Sequence, residues 1–574
     1  MFKTIMKSVR EYKKESILSP ILVSVEAFIE MLIPYIMGIL IDNGIMKKDM
    51  GYVAKWGLIL VLVTLLSLAL GIGASIFSSR AAAGLAGNLR QDMFFHIQDY
   101  SFENIDKFSS SSLVTRLTTD VNNIQMAYQM SIRMAVRAPL IMIFSIVMSM
   151  IINARLALIF VVTVPVMAIA LALILKAGFP YFGRIFRGYD RLNRVVRENV
   201  RGIREVKTYV HEPEQTVEFK KATSHIYKLF RTALLIMTLN GPVLVLVMDL
   251  SMLAVSWFGA RQIVFGSMQA GQLVSMFSYS NSALYSLMML PMVFAQLTMA
   301  QASGNRVANV INEKPTIVNP KKPLKEVFNG DIVFDHVSFK YEKEAEHPVL
   351  SDINLHIRPG ETIGIIGETG SSKSTLVSLI PRLYDVTSGA VFVGGHDVRS
   401  YDLRALRDNV AMVLQKNVLF TGTIKDNLKW GNEQATDEEI VHAAKIAHAD
   451  GFIRELEHGY DTKVEQGGNN VSGGQKQRIT IARALLKHPQ ILILDDSTSA
   501  VDTKTERAIR TALRDEMPHM TKIIISQRIV SIKDADRIIV LEHGKIQDVG
   551  THDELMTKNK FYKTIADYQS EQGK

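Results

Sequence analysis

The hydrophobic pattern divides the chain of 574 residues into two parts. Long apolar runs dominate up to about residue 310, and the remainder alternates strand-like and helix-like segments of ordinary polarity. A transmembrane helix needs about 20 apolar residues. On this basis the pattern predicts six membrane-spanning helices, in the runs 17–41, 56–77, 138–152, 156–175, 234–260 and 273–300.

The connections between these runs alternate in length. Runs one and two, three and four, and five and six are joined by short stretches, whereas about sixty residues separate runs two and three and again runs four and five. Unstructured links of that length are rare, so we expect the membrane helices to continue far beyond the bilayer. Each long connection has one predicted break, at 108–114 and at 211–214, and a plain helical hairpin bend would also explain such breaks.

Two carboxylates lie within the first apolar run. Glu26 and Glu30 are four residues apart and therefore share one face of a helix. Ionisable groups at membrane depth usually face a cavity or a partner, which favours a functional role. If the helix projects past the bilayer, both side chains are instead simply solvated.

Charge orients the chain in the membrane. The net charge is +9, and basic residues are concentrated between Arg184 and Arg231, beside apolar runs. Cytoplasmic flanks of membrane helices carry such an excess, so both long connections and the N-terminus are expected in the cytoplasm. This explanation leaves no need for a nucleic-acid partner. The chain has no cysteine, which excludes disulfides and thiolate metal sites, and no cleavable signal is expected at its start.

A polar stretch separates the two parts. Pro315, Pro320 and Pro323 interrupt the segment between residues 313 and 330. We expect a membrane domain at 1–314, a linker at 315–330 and a second domain at 331–574.

A glycine- and serine-rich loop follows the strand-like run 362–366. The motif G-x-x-x-x-G-K-[ST] between a strand and a helix binds phosphates through backbone amides, a lysine and a hydroxyl that reaches Mg²⁺. Here the loop reads Gly367, Glu368, Thr369, Gly370, Ser371, Ser372, Lys373, Ser374 and Thr375. Ser372 stands where the motif has glycine, so nucleotide binding through Lys373 and the remaining amides is expected to be weaker.

A second group of candidate residues follows about a hundred positions later. Amides at the start of a helix form a phosphate site. Such a start is predicted at Ser472, Gly473, Gly474 and Gln475. The apolar run 491–494 then predicts a buried strand that ends in Asp495 and Asp496, where a carboxylate could hold Mg²⁺. The segment 497–502, which includes Ser499, ends in Asp502.

This order of motifs resembles the ABC-type ATPases, with their SGGQ signature, Walker B strand and D-loop. Tyr341 resembles the aromatic residue that stacks on adenine, and Gln415 resembles the Q-loop glutamine near Mg²⁺. The first part resembles the exporter-type ABC transporters in its number of spans and in the alternation of its connections. The resemblance covers both parts of the chain.

The resemblance implies a fold and a set of ligands. The fold is an α-helical membrane domain of six helices extended into the cytoplasm, fused to an α/β phosphate-loop ATPase domain. ATP would contact Tyr341, the phosphate loop, and the signature and Asp502 of a partner subunit, and Mg²⁺ would be held by Ser374, Gln415 and Asp495. Short coupling helices at the breaks would touch the ATPase domain. The protein would lie in the cell membrane as a dimer with a cytoplasmic ATPase domain, and would export hydrophobic drugs or lipids.

Several positions depart from the family pattern. Asp496 stands where the family has the glutamate that polarises the attacking water, and Gln527 stands at the switch-histidine position. Gln466 replaces a glutamate before the signature. With Ser372, these changes affect mainly the nucleotide site built from this chain's own phosphate loop, while the signature is whole. We therefore predict a heterodimer that hydrolyses ATP mainly at the partner's site.

Other interpretations remain open at this point. The scaffold could form a homodimeric exporter, or a channel or regulator gated by nucleotide without turnover. It could also import its substrate. A soluble ABC ATPase acting on nucleic acid is opposed by the six apolar runs.

Overall fold

The computed structural model describes residues 1–342, 344–498 and 500–572. The chain forms two compact units, one of Met1–Gln98 with Ser110–Glu313 and one of Asp99–Ser109 with Lys314–Lys574. Residues Asp99–Ser109 belong to the first long connection, yet they pack with the second unit.

Long helices make up the first unit. The helices of residues 1–313 are α1 Phe2–Lys7, α2 Lys13–Leu40, α3 Met50–Gln98, α4 Phe102–Phe108, α5 Ser110–Thr115, α6 Val121–Ile132, α7 Met134–Arg201, α8 Ile203–Thr208, α9 Glu212–Thr238, α10 Asn240–Val264 and α11 Ala270–Asn312, of which α4 lies in the second unit. Short 3₁₀ or π-helical turns occupy Arg10–Tyr12, Ile41–Ile45 and Arg116–Asp120.

Five continuous helical stretches of the described chain are long and apolar enough to cross a membrane. They are Arg10–Ile45, Met50–Gln98, Ser110–Arg201, Glu212–Val264 and Ala270–Asn312. The third stretch is 92 residues long and holds both the third and the fourth predicted run. Asn153 divides it, because its backbone leaves helical geometry and its side-chain oxygen accepts from the amides of Arg155 and Leu156. The six predicted runs therefore occupy five continuous helical stretches.

The breaks in the two long connections differ from the predicted positions. The first lies at residues 99–101, before α4, and at Ser109, whose φ is +56°. The prediction of a break over 108–114 was correct only at Ser109, because Phe108 belongs to α4 and residues 110–114 are helical in α5. The second break is the turn 209–211. Glu212 and Pro213 open α9 instead of interrupting it, because proline in a first helical turn sacrifices no hydrogen bond.

The glutamates of the first apolar run are paired. Glu26 is buried, and the Arg137 guanidinium lies 3.6 Å from its Oε1 and 2.5 Å from Oε2 of Glu30. A cation on one helix thus balances two carboxylates on another, as expected for charges at membrane depth.

The described residues of the second unit form three sheets. Its strands are β1 Ile332–Phe339, β2 Leu350–Ile357, β3 Thr362–Ile366, β4 Ser388–Val393, β5 His396–Asp397, β6 Val410–Val413, β7 Gly422–Thr423, β8 Lys463–Val464, β9 Ile491–Asp495, β10 Thr521–Ile525, β11 Arg537–Glu542 and β12 Lys545–Gly550. The main sheet has the order β12-β11-β3-β10-β9-β6 and is parallel except for β12. An antiparallel sheet has the order β2-β1-β4-β5, and β7 pairs with β8.

Helices surround the main sheet. They are α12 Lys373–Ser378, α13 Leu403–Asn409, α14 Ile424–Lys429, α15 Asp437–Ile446, α16 Asp450–Glu455, α17 Gly473–Leu485, α18 Thr503–Glu516, α19 Ile529–Ile532, α20 His552–Lys558 and α21 Lys560–Gln572.

Alternation along the central strands creates two hydrophobic cores. Successive side chains of a strand point to opposite faces of its sheet. Ile491 and Ile493 of β9 therefore pack in the core shared with the antiparallel sheet, whereas Leu492 and Leu494 pack among the helices. Because both faces are covered, β9 is an uninterrupted apolar run up to Asp495.

Candidate functional site

The candidate site forms where three parallel strands end at the same edge of the main sheet. Ile525 of β10 pairs with Ile365 of β3 on one side and with Asp495 of β9 on the other. The residues that follow these strands therefore meet at this edge, which is where open α/β sheets bind ligands. They are the phosphate loop, Asp496, and the segment from Ser526 to Gln527.

The phosphate loop has a backbone that only small residues permit. A Cβ on Gly367 would lie 2.0 Å from the carbonyl oxygen of Leu541, so no other residue fits there. Gly370 has φ +87°, which glycine adopts freely. Ser372 also lies in the left-handed region, with φ +74° and ψ +23°. The chain thus keeps the backbone conformation that suits glycine while carrying a side chain, at a cost of about 1–2 kcal/mol.

Lys373 places its positive charge inside this loop. The side chain is buried, and Nζ donates to the carbonyl oxygens of Gly367 at 2.9 Å and Glu368 at 2.7 Å. Burial lowers the pKa of Lys373, while the nearby Asp495 and Asp496 oppose that shift. The loop therefore carries a cation that donates to its own carbonyl oxygens and to the Ser371 hydroxyl.

Ser374 and Asp495 place two candidate metal-binding oxygens at the end of the loop. Ser374 Oγ donates to Asp495 Oδ1 at 3.0 Å, and burial raises the pKa of Asp495. In the described chain, no group of three or more His, Asp or Glu side chains could hold a metal ion. A hydroxyl and a single carboxylate nevertheless suit Mg²⁺, which commonly keeps several waters and substrate phosphates as its other ligands.

Asp496 is tied to the sheet and to Gln415. Its amide donates to the carbonyl oxygen of Ile525 at 3.0 Å, and its φ is +45°. The side-chain amide of Gln415 donates to Asp496 Oδ2 at 3.2 Å. The short carboxylate is therefore directed towards the glutamine rather than extended as a free base.

Gln527 lies beside the phosphate loop. It lines a cavity of about 410 Å³ together with Gly367, Glu368, Thr369 and four residues of α21. Gln569 of α21 donates to the Gln527 carbonyl oxygen at 2.8 Å and accepts from the Ile529 amide at 2.8 Å. The C-terminal helix thus fixes the backbone on both sides of Arg528.

An aromatic group borders the other side of the loop. The Tyr341 hydroxyl lies 2.9 Å from Thr375 Oγ1, and its ring remains partly exposed. Tyr384 meets Tyr341 edge-on, with ring centroids 5.2 Å apart. Tyr384 also donates a hydrogen bond to Asp106 of α4 at 2.6 Å, and its ring contacts Phe102 of the same helix.

The signature residues begin α17. Ser472 is the N-cap: Oγ accepts from the Gln475 amide at 3.3 Å, and the Gln475 side chain accepts from the Ser472 amide at 3.0 Å. Gly474 allows a close approach to the D-loop, since a Cβ there would lie 2.8 Å from the Ala500 carbonyl oxygen. Asp502 caps α18 through the Thr505 amide, which lowers its pKa. Ser499 lies outside the described residues.

The signature and the phosphate loop form two separate groups. Within the residues that the structure describes, no hydrogen bond joins 472–475 to the loop 367–375. The signature contacts Ala500 instead, and Gly473 approaches the same residue.

Two residues of this region were not predicted from the sequence. Gln477 is buried, and its side-chain oxygen accepts from the Ala500 amide at 3.0 Å, which anchors the D-loop to α17. A polar residue on the buried face of a helix was the available signal. Tyr384 gave no comparable signal, because its hydrogen-bond partner Asp106 in α4 lies 278 positions away.

Each half of the chain matches a known protein family. Residues 16–288 match the family described as ABC transporter transmembrane region, and residues 350–499 match the family described as ABC transporter.

Relatives match over 83–96% of this chain. The uncharacterized ABC transporter ATP-binding protein YfiB of Bacillus subtilis is 37% identical over 554 residues, covering 96% of each chain. YknU of the same organism is 34% identical, over 84% of this chain and 82% of its own. A fatty acid ABC transporter ATP-binding/permease protein of Mycobacterium bovis is 34% identical, over 83% of this chain and 75% of its own.

The phosphate loop, signature and buried Walker B strand form an ABC ATPase domain, which couples ATP hydrolysis to transport. The apolar helices place the protein in the inner membrane as a multi-pass protein with a cytoplasmic ATPase domain. The chain therefore belongs to the ABC transporter family, with the fused transmembrane and ATPase domains of its exporters.

Proposed function

We propose that this chain is one subunit of a heterodimeric ABC exporter for hydrophobic or amphipathic compounds. Its membrane domain spans 1–314, its linker 315–330 and its ATPase domain 331–574. The fatty acid named for the Mycobacterium bovis relative belongs to the same broad class of compound.

The distribution of altered residues carries the heterodimer proposal. Ser372, Asp496 and Gln527 all lie at the sheet edge that holds this chain's own nucleotide. Asp496 is one methylene shorter than glutamate and is held by Gln415, so it lies too far back to polarise a water. Gln527 cannot become a cation near the γ-phosphate. The signature keeps its cap and its glycines, so it can serve a partner's nucleotide.

The residues of this site have distinct roles in the proposal. The amides of Gly367, Thr369, Gly370, Ser371 and Ser372 and the charge of Lys373 bind the phosphates of ATP, and Thr375 and Tyr341 lie on the adenine side. Ser374, Asp495 and Gln415 hold Mg²⁺, which supplies charge neutralisation when bound. Ser472, Gly473, Gly474, Gln475 and Asp502 contact the nucleotide of the partner subunit.

The proposal is tested by measuring ATPase and transport rates in proteoliposomes. The purified chain alone is compared with the chain assembled with a second ABC half-transporter that has glutamate after its Walker B aspartate. The pair should hydrolyse ATP and transport, and the chain alone should do neither. Brisk activity of the chain alone would establish a homodimeric exporter, and nucleotide binding without transport by either preparation would establish a gated channel or regulator.

Single cysteines at Ser111 and Thr216 test the orientation of the long connections. Both side chains are exposed, and the chain has no natural cysteine to interfere. Since the basic excess lies on the cytoplasmic side, an impermeant thiol reagent should label neither site in intact cells and both in opened vesicles. Labelling of either site in intact cells would show that the long connections lie on the outer side of the membrane, contrary to the predicted topology.

Replacing Lys373 with alanine tests the phosphate loop. Lys373 is the only basic residue of the loop 367–375, and Glu368 is its only acidic one. The change therefore removes the one positive side-chain charge of the loop. A charged hydrogen bond contributes about 1.5–3 kcal/mol, so ATP binding at this chain's site should weaken roughly tenfold to a hundredfold. Photolabelling with an ATP analogue measures the occupancy, and the exposed Lys463→Ala serves as control. Equal occupancy in wild type and Lys373→Ala would rule out this loop as a phosphate site.

A further inference from the structure

A small cavity lies on the ATPase domain, between α18 and the segment that joins α19 to β11. Its volume is about 60 Å³, and Lys522 and Ile524 of β10 form part of its wall. Lys522 stands three residues before Ile525, so it is about 10 Å from the sheet edge where the candidate site forms. A buried water needs about 10–15 Å³, so the cavity admits several waters or one tetrahedral oxyanion.

Four cationic side chains converge on this cavity. Arg507, Arg510 and Arg514 occupy positions i, i+3 and i+7 of α18, and they therefore share one face of that helix. Lys522 is the fourth cation. Among the lining residues that the structure describes, Asp534 is the only carboxylate. The lining of the cavity therefore has a net positive charge.

Ion pairs balance only part of this charge. Arg510 Nη1 lies 3.4 Å from Asp534 Oδ2, and Arg514 Nε lies 3.3 Å from Asp515 Oδ1. The side chains of Asp534, Arg514 and Asp515 are more than half exposed, so solvent weakens both pairs. Among the described residues, Arg507 takes part in no ion pair and no side-chain hydrogen bond. This face of α18 therefore retains guanidinium groups that the protein does not neutralise.

Two of the cations are buried. The Arg510 side chain is 12% exposed, and its Nε is buried without a hydrogen-bond partner in the described structure. Lys522 Nζ donates to the carbonyl oxygens of Met517 at 2.7 Å and Met520 at 2.9 Å, which uses two of the three donors of an ammonium. Burial lowers the pKa of Lys522, while Asp536 opposes that shift. A buried charge costs free energy unless it is paired, and a bound anion would pair with both groups.

We infer that the cavity between α18 and β10 binds a phosphate group as a dianion. The planar guanidinium group of arginine forms paired hydrogen bonds with phosphate oxygens. Arg510 and Lys522 supply donors from the buried side, and the exposed Arg507 and Arg514 supply them from the rim. The ligand is inorganic phosphate or the phosphate group of a small phosphomonoester, because the volume admits a single phosphate group. The site gives the ATPase domain a second anion ligand besides ATP, and it does not depend on the proposed partner subunit.

Protection of arginines from phenylglyoxal tests the site in the full-length chain in detergent. Mg²⁺ and a non-hydrolysable ATP analogue are present throughout, so that the phosphate loop is filled. Inorganic phosphate should slow the modification of Arg507 and Arg514, as quantified by mass spectrometry, and chloride at equal ionic strength should not. Arg404, whose side chain is 92% exposed, is the matched control and should react equally in both solutions. Glycerol 3-phosphate in place of phosphate distinguishes an ester from the free ion as the preferred source.

Direct binding of radiolabelled phosphate, measured by equilibrium dialysis under the same conditions, tests the individual residues. Arg510→Gln should weaken binding at least about tenfold, because it removes a charged donor from the buried side. Arg507→Gln changes an exposed side chain and should weaken binding at least about threefold. Arg404→Gln should bind as wild type does. If circular dichroism shows that Arg510→Gln is unfolded, Arg507→Gln decides the test alone.

Three results would overturn the inference. The first is equal modification of Arg507 with and without phosphate and with and without glycerol 3-phosphate. The second is protection that chloride reproduces at equal ionic strength, which would mean that salt only screens the arginines. The third is equal phosphate affinity in wild type and Arg507→Gln. These results concern binding alone, so a chain without ATPase or transport activity would bear on the proposed function and not on this site.

Discussion

Replacing Ser472 with aspartate should lower the ATPase rate of the assembled pair by about 10²–10³, the usual effect of disturbing a group aimed at transition-state charge. Asparagine, aspartate and serine are equally good N-caps, so α17 should begin at the same residue in the variant. The new carboxylate would face the partner's γ-phosphate and repel it. The rate is measured with purified pair in proteoliposomes, and circular dichroism verifies the fold.

Two further variants separate the effect of the negative charge from that of the cap, and the partner's nucleotide site from this chain's own. Ser472→Asn keeps the cap without the negative charge and should retain more activity than Ser472→Asp. Asp496→Asn, in this chain's own site, should change the rate of the pair by less than about twofold, because the partner's site performs the hydrolysis. The opposite order of effects, with Asp496 essential and Ser472 dispensable, would show that this chain's own site is catalytic.

Local patterns were sufficient to predict the elements that hold the site. The run 491–494 is apolar at every position because both faces of β9 are covered, and the carboxylate that follows it must lie at the edge of the sheet. The glycines and Lys373 after 362–366 likewise indicated a loop between a strand and a helix. These features depend on residues close together in the sequence, so the sequence displays them.

Features that depend on distant contacts or on backbone geometry could not be predicted in this way. The apolar pattern predicts the connection between the third and fourth runs at residues 153–155, but it does not show that only Asn153 leaves helical geometry and that both runs belong to one long helical stretch. The serine-rich stretch 109–112 suggested a break, yet serines in a first helical turn are compatible with α5. The contact of Tyr384 with Asp106 joins residues 278 positions apart, and no local periodicity encodes such a pair.

Tyr384 connects the nucleotide side of the second unit with α4. Its ring meets Tyr341, and its hydroxyl donates to Asp106 at 2.6 Å. Helix α4 follows α3 in the chain, and α3 contains the second apolar run. A shift of Tyr341 on ATP binding would therefore be transmitted through Tyr384 to α4, which is covalently continuous with the membrane domain. We expect this bond to contribute to coupling rather than to nucleotide affinity.

Tyr384→Phe separates these two contributions, because it removes the hydroxyl and keeps the ring beside Tyr341. A hydrogen bond to a charged acceptor contributes about 1.5–3 kcal/mol, so transport per ATP hydrolysed should fall roughly tenfold or more. Nucleotide affinity should be unchanged, and Tyr384→Ala should reduce both because it also removes the ring. Asp106→Ala should reproduce the effect of Tyr384→Phe, and the double variant should be no worse than either, as residues acting through one bond are not additive. Two results would contradict this role of the hydroxyl: additive effects of the two changes, or transport by Tyr384→Phe at the wild-type level. Helix α4 would then respond to nucleotide through its other contacts, such as that of Asn104 with the carbonyl oxygen of Lys314.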